Sequence, residues 1–181
     1  PYRASYGLVP EDLTTFFKQQ LKWACGMFEL FAKEYPKHFS RLNLAHRFYY
    51  FYAGTFYLNG IVTALTMLLP GILLLFKIYA VEMPVQEFLI HALPYVLISF
   101  TTTIFIQRWY SDPSERKFPW RSMALEKGTW HIYSLSFLYL ILGKKVPYLP
   151  TPKDGTATVN FNLLVPHWIM ILLNVAGIVW A

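Results

Sequence analysis

Three long uncharged runs constrain this chain more than any other feature. Residues 48–76 carry no charge between Arg47 and Lys77, and residues 88–106 and 161–181 are equally free of it. A helix rises ~1.5 Å per residue, so a ~30 Å hydrocarbon core needs about 20 apolar residues, and each run meets that need. Only backbones that satisfy their own hydrogen bonds survive in lipid, so the runs predict an all-α membrane protein with three transmembrane helices. Composition agrees: 55% of the 181 residues are hydrophobic and only 14% are charged. The first run is longer than a span requires. Its opening, Phe48-Tyr49-Tyr50-Phe51-Tyr52, reads as an interfacial aromatic belt, with the span proper starting near Ala53 and a kink expected at Pro70-Gly71.

A fourth apolar stretch, residues 128–143, would make a helix of only ~24 Å, short for a span. Arg121 and Lys127 precede it, and Lys144 and Lys145 follow it. Positive charge on both flanks favours a helix lying along the cytoplasmic surface. On that arrangement residues 79–87, which hold Glu82 and Glu87 but no Lys or Arg, face outside. Lys77 can snorkel, and the other Lys and Arg residues gather on the cytoplasmic side. Membrane orientation thus accounts for the net charge of +6. No basic stripe with interleaved aromatics offers itself to nucleic acid, so that partner is excluded.

The amino-terminal segment predicts an amphipathic surface helix from about Glu11 to Tyr35. Glu11 and Asp12 suit its positive end. Leu13, Phe17, Leu21, Ala24, Phe28 and Phe31 form an apolar stripe beside a charged one of Lys18, Lys22, Glu29 and Lys33. Pro36 is expected to end the helix. The organisation that results has five parts. Residues 1–40 form an interfacial helix, 41–107 two transmembrane helices, and 108–143 a cytoplasmic turn with a second interfacial helix. Residues 144–160 form a Pro-broken loop and 161–181 a third span. No signal-peptide pattern opens the chain and residue 1 is Pro, so the sequence reads as an interior piece of a longer protein.

Familiar catalytic motifs are missing: no nucleophile elbow, Walker loop or His-Glu-x-x-His occurs. The single Cys25 excludes an internal disulfide, and His38, His46, His91, His131 and His167 show no ligand spacing. What remains is a pattern on the first helix. Gln19 and Trp23, four apart, share one helix face, with Gly26 a turn further along. An indole can stack on the C–H face of a sugar ring, an amide can bond hydroxyls, and Lys22 can reach a phosphate as a point charge. The same spacing also suits an interfacial tryptophan with polar neighbours. Tyr49, Tyr50, Tyr52, Phe56 and Tyr57 are open to either glycan stacking or belt and packing roles.

Gln19-Gln20-Leu21-Lys22-Trp23 resembles the Q-(Q/R)-x-R-W signature of processive family-two glycosyltransferases, with Gly7-Leu8-Val9-Pro10-Glu11-Asp12 as a similar lead-in. Tyr148-Leu149-Pro150-Thr151-Pro152-Lys153 resembles the F-x-V-T-x-K gating loop of bacterial cellulose synthases. The resemblance implies that Trp23, Gln19 and Gln20 bind the acceptor glycan. Lys22, Thr151, Lys153 and Tyr148 would then face the donor nucleotide. Lys22 stands where the pattern has Arg, keeping the charge but losing the bidentate fork. Pro150 and Pro152 would stiffen the loop.

By the same resemblance, this would be the acceptor-binding, gating and channel-forming part of an enzyme. That enzyme would polymerise glucose from UDP-glucose into a β-glucan and translocate it across a plasma (inner) membrane in which it is multi-pass. Its partners would be a UDP-sugar donor, the polysaccharide acceptor, membrane lipid and accessory synthase subunits. An upstream glycosyltransferase domain would supply the catalytic base and the Mg²⁺ or Mn²⁺ site, both missing from this sequence. Synthases of curdlan, mannan or hyaluronan-like polymers share the first motif, and a membrane transport subunit without sugar chemistry is the alternative from another class.

Overall fold

The computed structural model describes residues 10, 12–78, 83–110, 120–146 and 160–181, and within these the chain is helical with no strand. Helix α1 (Leu13–Glu29) starts where Asp12, in extended backbone, accepts a 2.7 Å hydrogen bond from the Thr15 N–H. The cap satisfies one of the orphan donors at the helix end. The apolar stripe expected on α1 is its buried face: Phe17, Ala24 and Phe28 are enclosed. Each such ring taken out of water stabilises the packing by ~1.5–3 kcal/mol.

Pro36 does not end this helix, contrary to the sequence expectation. A π-helical turn, Leu30–Glu34, follows α1, with the Tyr35 N–H reaching back to the Leu30 carbonyl. A short α2 (Tyr35–His38) then carries Pro36 in its first turn, where a missing N–H costs nothing. Helical backbone continues through a 3₁₀ turn at Phe39–Arg41.

Asn43 caps α3 (Leu44–Thr55) through the His46 N–H, and a 3₁₀ turn at Phe56–Leu58 leads into α4 (Asn59–Leu75). Together they make a continuous rod, Leu44–Leu75, of 32 residues. At ~48 Å it exceeds a hydrocarbon core, which leaves room for the exposed Tyr49 and Tyr52 at its start to sit among headgroups. The rod ends in a Schellman-type cap: Lys77 takes the left-handed conformation (φ 53°) while the Ile78 N–H returns to the Leu73 carbonyl at 2.8 Å.

Helix α5 (Val85–Tyr110) follows, then α6 (Trp120–Gly128), α7 (Trp130–Ile141), a 3₁₀ turn at Phe161–Leu164 and α8 (Val165–Trp180). Periodicity gave no sign of α6 as a separate helix; it breaks from α7 at the buried Thr129, whose hydroxyl donates to the Leu125 carbonyl at 2.6 Å. Among the described residues three helices are long and apolar enough to cross a membrane: Leu44–Leu75, Val85–Trp109 and Phe161–Trp180. None of the most apolar stretch of α5 is buried by protein, so in a membrane that surface would be left to lipid.

Two packings hold the rest together. In the apolar layer α4 lies against α8, with Gly71 and Gly177 at the crossing; a Cβ on Gly177 would stand 2.9 Å from the Gly71 carbonyl oxygen. Small residues let apolar helices approach this closely. Nearby, Pro70 withholds an N–H from the helix ladder, and Asn174 Nδ2 donates to the Met67 carbonyl at 2.9 Å. At the other end α7 lies across both α1 and α4. This second packing builds the site.

Candidate functional site

The Gln19-to-Trp23 string falls in the middle of α1, with its polar groups directed differently. Gln20 turns toward α7, where its Oε1 accepts a 3.0 Å hydrogen bond from the Tyr133 hydroxyl. Burial, with Tyr57 and Glu126 adding to it, pushes the Tyr133 phenol up to about 12. Tyr133 therefore keeps its proton and remains a donor to Gln20. Lys22 is half-buried and its ammonium donates to the Val146 carbonyl at 2.6 Å. Gln19 is half-buried. Trp23 is 53% exposed despite its size, and a Cβ placed on Gly26 would meet nothing within 4 Å. An indole is thus held open to solvent above a clear stretch of helix surface.

Rigidity under this surface comes from rings. Tyr133 stands edge-on to Tyr57 at 4.9 Å, Tyr57 is edge-on to Phe28 at 6.3 Å, and Phe28 is edge-on to Phe137 at 5.6 Å. Edge-to-face pairs of this kind add ~0.5–1.5 kcal/mol each beyond area burial. Phe56 and Tyr57, open between glycan stacking and packing in the sequence, pack here on Tyr133.

Val146 is the last described residue before the segment holding Tyr148, Thr151 and Lys153. These three lie outside the described residues. The Lys22 contact places Val146 beside α1, at a lysine one residue from Trp23 in sequence.

A second cluster escaped the sequence reading. His131 on α7 and His167 on α8 meet edge-on at 4.9 Å, with Trp130 within 5.9 Å of both and Phe17 of α1 5.0 Å from His131. His167 Nε2 lies 2.9 Å from the Gly128 carbonyl. Burial first, and the neighbouring His167 second, hold His131 down to about 4, so it is neutral near pH 7. The two histidines are far apart in sequence and no spacing rule would pair them. Among the described residues no group of three or more His, Cys, Asp or Glu could hold a metal; the divalent ion that the resemblance implies would belong to the upstream domain. Burial also raises the Cys25 thiol, which removes it as a thiolate nucleophile.

No protein-family model matches the chain, and no solved structure matches it significantly.

Proposed function

We propose that this chain is the acceptor-binding, gating and channel-forming part of a processive, inverting glycosyltransferase. The enzyme polymerises glucose from UDP-glucose into a β-glucan and passes it through the membrane. The observation that carries the reading is the division of labour on α1. Gln20 and Lys22 anchor the helix to α7 and to Val146, while Trp23 is left open beside them.

In this reading Trp23 stacks on the terminal sugar of the growing chain and Gln19 bonds its hydroxyls. Gln20 keeps α1 in register with α7. Thr151 and Lys153 close over the nucleotide from the loop that leaves at Val146. Lys22 has two further N–H groups beyond the one given to Val146, enough to face a diphosphate without releasing the loop. An upstream domain would hold the general base and a divalent ion that balances the charge of the departing UDP. The acceptor hydroxyl then attacks the anomeric carbon, UDP leaves with inversion, and the lengthened chain moves one sugar into the pore.

The two ends of the site should separate in function. In the full-length protein, Lys153→Ala should weaken UDP binding at least ten-fold by calorimetry and slow turnover to match. Unchanged UDP affinity and unchanged turnover would remove the loop from the nucleotide site.

A further inference from the structure

The bend between α1 and α3 encloses a half-open cavity of about 250 Å³, lined by Leu30, Glu34, Tyr35, His38, Leu42 and Tyr50. Its wall is the π-helical turn Leu30–Glu34, a conformation that concentrates at functional positions because it displaces side chains from the regular helical path. None of these residues belongs to the sugar site proposed above.

The chemistry of the lining is specific. Glu34 is the one carboxylate among the six, and Lys37 and His38 meet it at 2.8 and 3.7 Å. All three side chains are more than half exposed, and exposed ion pairs of this kind exchange partners readily. The Lys37 hydrogen bond also holds the Glu34 carboxyl below its usual range, so the charge persists. Two tyrosines line the same cavity and both rings are braced: Tyr35 stacks on Phe31 at 5.4 Å and Tyr50 on His46 at 6.4 Å. A carboxylate sharing a cavity with phenol rings attracts an ammonium group, through charge and through the ring faces. A primary ammonium additionally brings three N–H donors, which the Glu34 carboxylate can accept; a quaternary one brings none.

Basic residues adjoin the lining: Lys37 through Glu34, Arg47 through the Leu42 carbonyl, and Arg41 next to Leu42 in the chain. Lys37 meets Glu34 itself, and Arg41 closes the 3₁₀ turn that follows His38. The Arg47 guanidinium sits 4.6 Å over the Phe39 ring while bonding the Leu42 and Ser40 carbonyls. Phe39, Leu44, Phe48 and Phe51 add exposed apolar surface at the start of the first span. Ammonium floor, phosphate rim and apolar flank match, in that order, the parts of one molecule.

We propose that this cavity binds the headgroup of a phospholipid bearing a primary ammonium, of the phosphatidylethanolamine class. The ammonium sits at Glu34, the phosphate at Lys37 and Arg41, and the acyl chains run along Leu44 and Phe48. Bound there, the lipid braces the corner at which the surface helix turns into the membrane.

The test uses the full-length protein in detergent. It is exchanged against equimolar phosphatidylethanolamine, phosphatidylcholine and phosphatidylglycerol, and retained lipid is read by native mass spectrometry. The ethanolamine lipid should be retained at least ten-fold over the other two. Glu34→Gln should abolish that preference, and Tyr50→Leu should weaken it. Glu29→Gln removes the matching exposed pair with Lys33 outside the cavity and should leave the preference intact. Equal retention of the three lipids, preference for the anionic one, a Glu34→Gln protein that still selects ethanolamine, or equal loss in Glu29→Gln would each overturn the site.

Discussion

On the proposed function, replacing Trp23 by Ala in the full-length protein should abolish polymer formation while leaving UDP binding within about two-fold of wild type. The indole is 53% exposed, so its removal opens no cavity and deprives α1 of little packing. The buried anchors of that helix, Phe17, Ala24 and Phe28, lie on another face. A thermal unfolding midpoint close to wild type is therefore expected. What the substitution removes is the one large ring surface that the Gln-Gln-x-Lys-Trp string would offer to the proposed acceptor. Stacking of a nucleobase on such a ring contributes ~1–3 kcal/mol, and misplacement of an acceptor by 1 Å can cost about a hundred-fold in rate. Wild-type polymer yield from a folded Trp23→Ala protein would assign the tryptophan to the membrane interface instead.

The second large effect is on assembly. Gly60→Leu should prevent stable folding, because α7 crosses α4 directly over this residue. An ideal Cβ there would lie 2.5 Å from the Tyr133 Cβ, 2.7 Å from the Trp130 carbonyl oxygen and 3.0 Å from the Ser134 nitrogen. Two of those three atoms are backbone, which cannot rotate aside, so the whole of α7 must shift. Overpacking costs ~1–3 kcal/mol where side chains can yield and more where they cannot. In a chain of this size each 1 kcal/mol moves the midpoint by ~2–4 °C, so a fall of about 10 °C or loss of monodisperse protein is expected. Gly26→Ala is the control: its Cβ meets open space, and leaving glycine in mid-helix gains ~0.5–1 kcal/mol. Equal midpoints for Gly60→Leu and Gly26→Ala would contradict the crossing.

Such crossings mark the boundary of what the sequence made legible. The α1 stripe could be read because burial repeats at helical spacing within one element, and Phe17, Ala24 and Phe28 are buried as that spacing requires. The spans could be read because a helix facing lipid along its whole length must exclude charge from about 20 consecutive residues, and surface helices in water do not. Pro36 misled because a proline forbidden in a helix interior is welcome in a first turn, and no residue pattern announces the π turn that creates that first turn. The Gln20–Tyr133 hydrogen bond and the His131–His167 pair join residues far apart in the chain. Their partners are chosen by the packing of α7, which single-sequence periodicity does not encode. Of the candidate site residues, Gln19, Gln20, Lys22 and Trp23 fall together on α1, while Tyr148, Thr151 and Lys153 lie outside the described residues.

The most direct measurement supplies membranes containing the full-length protein with radiolabelled UDP-glucose. The product is followed as alcohol-insoluble label and digested with linkage-specific glucanases. Incorporation that requires UDP-glucose, yields long chains and is released by a β-glucanase is the predicted result. Membranes that incorporate no label from any UDP-sugar, with protein shown to be folded and intact, would contradict the proposed function.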